Sequence, residues 1–319
     1  MNHPSLALCI PAYRAEHHLT HLLETAQQQN PLFDEIIVCV DASPDRTADI
    51  ARGWGAQVLI NDETVGCSAS KNRALAAATA DWIHFHDADD ILLPNFTEEA
   101  HRWISSADAP DVVVMGFEYR DKATNKLLAI GLVDDSSLSS DPVAFTIRHK
   151  VPNFGLYRRD ALVRLGGYDC DSEVLFNEDV AFHTKLALAG LRFRASSTVT
   201  SINWRHRDSM SGTNPVRCHL AHAAVMRKVA KRAKSDHAEL IASNLWMAAQ
   251  GLAMYGEWNN VDAVLDEASR IFPSVPSGQP RDFALLCRIL PWPLAFRTRE
   301  QLIRWLKPGL RRITQAASE

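Results

Sequence analysis

The chain has 319 residues, 46% of them hydrophobic and 23% charged, with a formal net charge of -4. This is a globular composition, large enough for one domain of about 200 residues and a smaller one. The mildly acidic balance gives no reason to expect nucleic acid as a partner. The six scattered cysteines form no C-x-x-C pair, so the chain reads as reduced and cytosolic.

The first segment, MNHPSLALCIPAY, lacks the basic start and long apolar run of a signal peptide. Leu6–Ile10 is a short apolar run stopped by Pro11, as expected of a buried strand. His18–Gln29 carries Leu19, Leu22, Leu23 and Ala26 at helical spacing. Glu35–Val40 reads as a second strand, Thr47–Trp54 as a helix, Gln57–Ile60 as a third strand, Ser68–Ala78 as a helix and Trp82–His86 as a fourth strand. This alternation predicts an α/β fold with a mainly parallel central sheet flanked by helices. Ligands of such sheets bind at the carboxyl ends of the strands, where both Asp41 and Asp87 fall.

Asp111–Tyr119 is a further strand, residues 121–150 read as irregular with Ser136–Asp141 the loosest part, and Ala161–Leu165 and Asn177–Ala189 read as helices. Phe193–Trp204 is strand-like and leads into a polar loop. After Pro215 the pattern turns helical, over Leu220–Lys234, Ala238–Met254 and Asn260–Ile271. Glu239, Asn244 and Gln250 mark Ala238–Gly256 as a buried helix rather than a membrane span. The expected division is a domain over 1–215 and an α-helical region over 216–319. Leu245–Pro273 resembles a single tetratricopeptide hairpin without a second copy, and so reads as a helical pair packed on the first domain.

The most informative stretch is Ala80–Pro94, ADWIHFHDADDILLP, in which a strand runs into Asp87, Asp89 and Asp90. Three acids at the end of an apolar strand repel one another and lose hydration, so the cluster calls for a counter-charge. Oxygen donors in this arrangement suit Mg²⁺ or Mn²⁺, ions that often hold nucleotide phosphates. His84 and His86 alternate onto one face and read as packed, hydrogen-bonded histidines rather than metal ligands.

Five further motifs accompany the cluster: Ile10-Pro11-Ala12-Tyr13; Asp41-Ala42-Ser43-Pro44-Asp45-Arg46-Thr47; Gly66-Cys67-Ser68-Ala69-Ser70-Lys71-Asn72-Arg73; Leu165-Gly166-Gly167-Tyr168-Asp169 followed by Phe176-Asn177-Glu178-Asp179; and Asn203-Trp204-Arg205-His206-Arg207-Asp208-Ser209-Met210-Ser211. Their order and spacing resemble the family 2 glycosyltransferases, which have the GT-A fold, over about Leu6–Ser211. The chain departs from the family pattern at Val40, where an Asp is common, at Lys71, where Arg is usual, and at Ala74, where Gly is usual.

The resemblance implies that Pro11 and Tyr13 border the nucleotide base, that Asp41 accepts the base N3–H, and that Lys71 meets base or diphosphate. It implies Asp89 as a ligand of the metal that bridges the diphosphate, with Asp87 on the ribose or the metal and Asp90 supporting the loop. It gives Asp179 the role of general base toward the acceptor hydroxyl, with Glu178 beside it on the acceptor side. His206 completes the metal shell in this picture, and Arg205, Arg207 and Ser211 hold the diphosphate. Asp45 followed by Thr47 also fits a turn and helix cap, and Arg73 a solvated helix position.

The implied activity is inverting, metal-dependent transfer of a sugar from a nucleoside-diphosphate sugar, foremost a UDP-sugar, to a hydroxyl of a glycan or lipid-linked glycan, in cell-surface polysaccharide assembly. Two rivals are a nucleotidyltransferase, which would leave Glu178 and Asp179 without a task, and a non-catalytic nucleotide-sugar-binding module. In residues 281–312 eight Lys or Arg stand against Asp282 and Glu300, and Leu302, Ile303, Leu306, Leu310 and Ile313 share a helical face. That pattern suits a helix lying on an anionic membrane surface, on the inner face of the cell membrane, and equally a helix packed on its own protein.

Overall fold

The computed structural model describes residues 3–205 and 214–307. In chain order the elements are β1 (Leu6–Ala12), α1 (Leu19–Gln27), β2 (Glu35–Val40), α2 (Thr47–Gly53), β3 (Gln57–Ile60), α3 (Cys67–Ala77), β4 (Trp82–Phe85), β5 (Ile91–Leu92), α4 (Phe96–Ile104), β6 (Val112–Asp121) and β7 (Leu127–Gly131). They continue as α5 (Asp135–Ser140), α6 (Pro142–Arg148), β8 (Gly155–Arg158), α7 (Arg159–Leu165), α8 (Glu178–Leu188), β9 (Phe193–Arg205), α9 (Pro215–Ala230), α10 (Ala238–Met254), α11 (Trp258–Ile271), α12 (Arg281–Ile289) and α13 (Trp292–Leu306).

Two compact units divide the chain. One takes Met1–Phe145, Val151–Cys170 and Lys185–His206, and the other takes Thr146–Lys150, Asp171–Thr184 and Arg207–Glu319. The first unit holds the sheet, ordered β3-β2-β1-β4-β8-β6-β9-β5 with β7 paired to β6. β1, β2, β3 and β4 pair in parallel. β8 runs antiparallel between β4 and β6, and β9 pairs parallel to β6. Six strands therefore share one direction, against β5, β7 and β8.

Side-chain alternation buries both faces. Leu6, Leu8 and Ile10 of β1 and Val38 and Val40 of β2 enter a core with Leu19, Leu22 and Leu23 of α1 and Phe96 and Ala100 of α4. Ala7, Cys9, Ile37 and Cys39 point the other way and are equally inaccessible, on the side where α3 packs against β1 and β2. Pro11 does not end β1. The Cys9 carbonyl accepts His86 N–H on the β4 side, and β4 pairing stops at Cys9. The N–H that Pro11 lacks would fall on that same side, one step past the last partner, so the strand runs on to Ala12 against β2.

Residues 121–150 are more ordered than their composition predicts. Asp134 caps α5 by accepting Ser137 N–H at 2.8 Å, and Asp135 pairs with Arg194 of β9 at 2.7 Å. β7 adds a strand with Leu127, Leu128 and Ile130 exposed. β8, in a stretch for which the sequence predicts no element, is a four-residue strand fixed by its neighbours on both sides.

The second unit is helical. Its core centres on Trp246, fully buried in α10, with ring centroids of Phe283, Trp292 and Phe296 at 6.0, 4.7 and 5.2 Å. α10 and α11 pack together. In α13, Ala295, Phe296 and Glu300 are buried while Leu302, Trp305 and Leu306 are exposed. Among the described residues no helix is long and apolar enough to cross a membrane.

Candidate active site

The carboxyl ends of β1, β2 and β4 open at one edge of the sheet. Each continues into a sequence motif, and hydrogen bonds tie the continuations together. Asp41 N–H donates to the Ala12 carbonyl at 2.9 Å, and Asn61 N–H to the Val40 carbonyl at 2.9 Å. Arg14 and Ala42 both have positive φ, 49° and 52°, a conformation that costs non-glycine residues strain and gathers at functional sites. Arg14 N–H donates to Ser43 Oγ at 2.7 Å, and Ala15 N–H to Thr47 Oγ1 at 2.9 Å. The motifs after β1 and β2 are therefore laced to each other. Tyr13, the expected base neighbour, is 47% exposed with the Arg14 guanidinium 5.3 Å from its ring.

Asp45 is the knot of that lacing. Its carboxylate accepts Ser43 Oγ at 2.7 Å, Thr47 N–H at 3.1 Å, Thr47 Oγ1 at 2.6 Å and Glu16 N–H at 3.2 Å. Burial alone would raise its pKa, but the donors prevail and hold it down at about 2. These bonds form the turn expected before α2, whose N-cap position is Arg46 without a side-chain cap.

Asp41 follows β2 and is 4% exposed. Its Oδ1 accepts Asn61 Nδ2 at 2.7 Å and Val65 N–H at 2.9 Å, and its Oδ2 accepts Gly66 N–H at 2.9 Å. Burial opposes the charge, yet these donors keep the carboxyl below the usual carboxylate range. The residue expected to read the base thus also fastens the loop that enters α3. Arg73 is an exposed residue of α3, and its Nη1 donates to the Ile60 carbonyl at 2.7 Å and to Asn61 Oδ1.

Lys71 lies in α3, 2% exposed. Its Nζ is 3.2 Å from Asp87 Oδ1 and 5.0 Å from the Tyr168 ring centroid. A buried ammonium therefore supplies part of the counter-charge that the acidic cluster calls for. Asp90, 2% exposed, accepts Asn203 Nδ2 at 2.7 Å and Trp204 N–H at 2.9 Å, both on β9. Burial, then the charges of Asp89 and Asp87, push its pKa well up despite those donors. Asp89 and Asp87 are both partly exposed. Among the described residues, no group of three or more His, Cys, Asp or Glu side chains forms a metal cage.

His84 and His86 underlie the cluster, both fully buried. His84 Nδ1 meets the Gly155 carbonyl at 2.8 Å, so that nitrogen carries the proton. Its Nε2 then accepts from His86 Nδ1 at 2.9 Å. Burial holds both imidazoles below their usual range, His84 at about 4. They are packed and hydrogen-bonded, as their alternation in the sequence predicts.

Asn72 joins two motifs and has no role assigned by the sequence reading. Its Nδ2 donates to the Tyr168 carbonyl at 2.9 Å, and its Oδ1 accepts Tyr168 N–H at 2.7 Å. Gly167 has φ 60°, and a Cβ there would collide with Asn72 Oδ1. Tyr168 itself is buried, edge-on to Phe85 of β4 at 5.4 Å. The signal for this joint was present in the sequence as the Asn beside Lys71 and the paired glycines. Asn61 lies outside every motif, and Asn203 heads its motif without an assigned role. Arg205, at the end of β9, stacks on Tyr119 with 4.0 Å to the ring centroid. His206, Arg207 and Ser211 lie outside the described residues.

Glu178 and Asp179 belong to the second unit and open α8. The Asn177 carbonyl accepts Ala181 N–H at 3.1 Å, starting the helix, and Asn177 N–H donates to the Val174 carbonyl at 2.9 Å. Both acids fall in the first turn, where the helix dipole favours negative charge. Asp179 Oδ1 is shielded from solvent. The same unit holds a cavity of about 630 Å³ bordered by Arg148, Glu239, Asn244, Gln250 and Arg299, and none of the residues singled out by the motifs lines it.

Comparisons with known proteins bear on this arrangement. EpsH of Bacillus subtilis is 28% identical over 132 residues, 40% of this chain. The chain spans 38% of that protein's length. Staphylococcus aureus TarS 1-349 in complex with UDP-GlcNAc superposes with a TM-score of 0.61 at 16% identity, covering 94% of this chain and 92% of that one. The mannosyltransferase PcManGT of Pyrobaculum calidifontis, in complex with GDP-Man and Mn²⁺, gives 0.58 at 16% identity, over 94% and 85%. These likenesses carry the fold, an α/β GT-A architecture with helices after it. The model of the family described as Glycosyl transferase family 2 matches residues 7–166. That span is half of the chain and runs from β1 through α7, so the protein belongs to glycosyl transferase family 2.

Proposed function

We propose that the protein is an inverting, metal-dependent glycosyltransferase that moves a sugar from a UDP-sugar to a hydroxyl of a glycan or lipid-linked glycan. The observation that carries this reading is the cluster of Asp87, Asp89 and Asp90 at the end of β4, set against the buried Lys71. The complexes of TarS with UDP-GlcNAc and of PcManGT with GDP-Man and Mn²⁺ support it.

The donor set fits a divalent ion. Asp90 is committed to β9, whereas Asp89 and the Lys71-paired Asp87 are partly exposed, hard oxygen donors. Mg²⁺ and Mn²⁺ are commonly held by one or two carboxylates plus substrate phosphates rather than by an all-protein cage. Asp89 and Asp87 would hold the ion, with His206 as a further ligand, and the ion would neutralise charge on the departing diphosphate.

The remaining tasks fall to the chain. Lys71 places a desolvated positive charge beside Asp87, where the phosphates would lie. Tyr13 and Pro11 border the base and Asp41 accepts its N3–H. Arg205, Arg207 and Ser211 bind the diphosphate. Asp179 takes the proton of the acceptor hydroxyl as its oxygen attacks the anomeric carbon, and Glu178 orients the acceptor. The site of action is the inner face of the cell membrane, in cell-surface polysaccharide assembly. The exposed Leu302, Trp305 and Leu306 of α13 beside Arg304 and Lys307 support peripheral contact with an anionic surface.

The test is donor hydrolysis across UDP-, GDP- and dTDP-sugars, with Mn²⁺ and with chelator, for the wild type and Asp89→Ala. Metal-dependent release of one nucleoside diphosphate, reduced about 10²–10³-fold in the variant, is expected. No release and no metal-dependent binding of any donor would favour a non-catalytic module.

A further inference from the structure

Helix α9 grips the segment that leads into α8. Lys228 Nζ lies 2.9 Å from Asp171 Oδ2, and Arg227 lies 3.7 Å from Glu173 Oε2. Arg217 stands 5.9 Å from the Phe176 ring centroid, and His222 Nδ1 meets Asn177 Nδ2 at 3.0 Å. The two ion pairs are solvent-accessible and contribute little. The other two contacts fall where the backbone needs holding. Phe176 has φ 76°, a conformation that strains a bulky side chain and persists only when its surroundings enforce it. Asn177 is the next residue, 8% exposed, and its carbonyl starts α8.

The hydrogen-bond directions at His222 are fixed from its far side. Asn244 of α10 donates its Nδ2 to the Leu240 carbonyl at 2.9 Å, which turns its Oδ1 toward His222 Nε2 at 3.1 Å. An amide oxygen only accepts, so Nε2 carries the ring proton. Nδ1 is then a bare lone pair, and Asn177 Nδ2 donates to it. Asn177, His222, Asn244 and the Leu240 carbonyl form one directed chain, each of its three bonds running from a donor to an acceptor. Burial favours the neutral imidazole that this chain requires. An exposed ion pair can slide, whereas an imidazole between two amides has one arrangement.

We propose that His222 is a positioning residue, whose neutral Nε2–H tautomer pins Asn177 and thereby the strained turn that presents Glu178 and Asp179. The inference rests on Asp179 as the general base. His222 touches no reacting atom. It limits where the first turn of α8 can point, and a small misplacement of a catalytic group is enough to cost turnover.

The test compares the wild type, His222→Asn and His222→Leu as full chains, with Asp179→Asn alongside. Each is read for thermal midpoint, UDP affinity, and kcat and KM for the nucleoside-diphosphate sugar that the protein hydrolyses. Asn at position 222 puts an amide oxygen where Nδ1 was and keeps a partner for Asn177. Leu keeps the bulk and no bond. We expect His222→Leu to lose about ten- to a hundredfold in kcat at unchanged KM and UDP affinity, and His222→Asn to recover most of it.

Wild-type kcat in His222→Leu overturns the proposal. So does an equal loss in both variants, because the acceptor at Nδ1 would then not matter. Should His222→Leu fail to fold, Asn177→Ala removes the donor from the other end, and the same split between kcat and KM decides. Asp179→Asn that keeps turnover removes the base reading and this one with it. Asp179→Asn without turnover, beside a fully active His222→Leu, removes this one alone.

Discussion

The carboxylates after β2 and after β4 start from equivalent places at the end of a parallel strand, yet their surroundings drive them apart. Asp41 is wrapped by Asn61 Nδ2 and the backbone of Val65 and Gly66, and its pKa falls. Asp90 is equally buried and has two donors, and its pKa rises, because burial and two neighbouring carboxylates outweigh them. A carboxylate enclosed by donors is a structural anchor that holds its charge unaided. A carboxylate beside other carboxylates calls for a cation, and Lys71 places one positive charge next to Asp87. The loop around Asp41 shapes the crevice, and the cluster after β4 is the part proposed to do its chemistry.

The amide variants test that separation most strongly. Asp89→Asn should remove about 10²–10³-fold of donor turnover while leaving the thermal midpoint near that of the wild type. Asp41→Asn should strike stability as well as nucleotide affinity. It turns an acceptor into a donor facing other donors, and should cost about 2–3 kcal/mol of stability, read as a lower urea midpoint. An Asp41→Asn protein that keeps full stability and loses only nucleotide affinity would make Asp41 a base reader and not an anchor.

The same contrast explains how far the sequence could be read. β1 to β4 and the helices between them were legible because buried parallel strands are short apolar runs broken by turn residues, as in EIIVCV before Asp41. β8 was not, because GLYR carries no pattern of its own and is a strand only through its bonds to β4 and β6. α5 was missed because DSSLSS has weak helix propensity, and its cap at Asp134 and its tie to Arg194 act from outside it. In the site, the type and order of residues were visible and their obligations were not. Nothing in the letters distinguishes Asp41, held by a loop 20 residues later, from Asp87, held by a lysine in the helix before it.

Gly167 sharpens the comparison at the joint between motifs. It combines φ 60° with a position where a Cβ meets Asn72 Oδ1, and Asn72 in turn holds both backbone groups of Tyr168. Gly167→Ala must strain the backbone and displace Asn72 together, so it should destabilise by about 2 kcal/mol. Asn72→Ala in the same background relieves the collision and should recover part of that loss. Denaturant melts of the two singles and the double measure the coupling, and strict additivity would mean that Asn72 is not what Gly167 makes room for.

The smallest effect belongs to Asp45, whose charge is held in place by hydroxyls and amides rather than by a cation. Its folded pKa of about 2 lies below its ordinary 3.8, so the unfolded chain takes up the proton first as pH falls. The sign follows: the stabilisation is complete above about pH 4 and drains away as pH drops toward 2. Asp45→Asn should therefore cost about 1 kcal/mol at neutral pH, and the gap between the two proteins should narrow as melts are moved from pH 7 to pH 3. A gap that stays constant across that range would show that the carboxylate's charge is irrelevant to the lacing, and that Asp45 serves only as a neutral acceptor for Ser43 and Thr47.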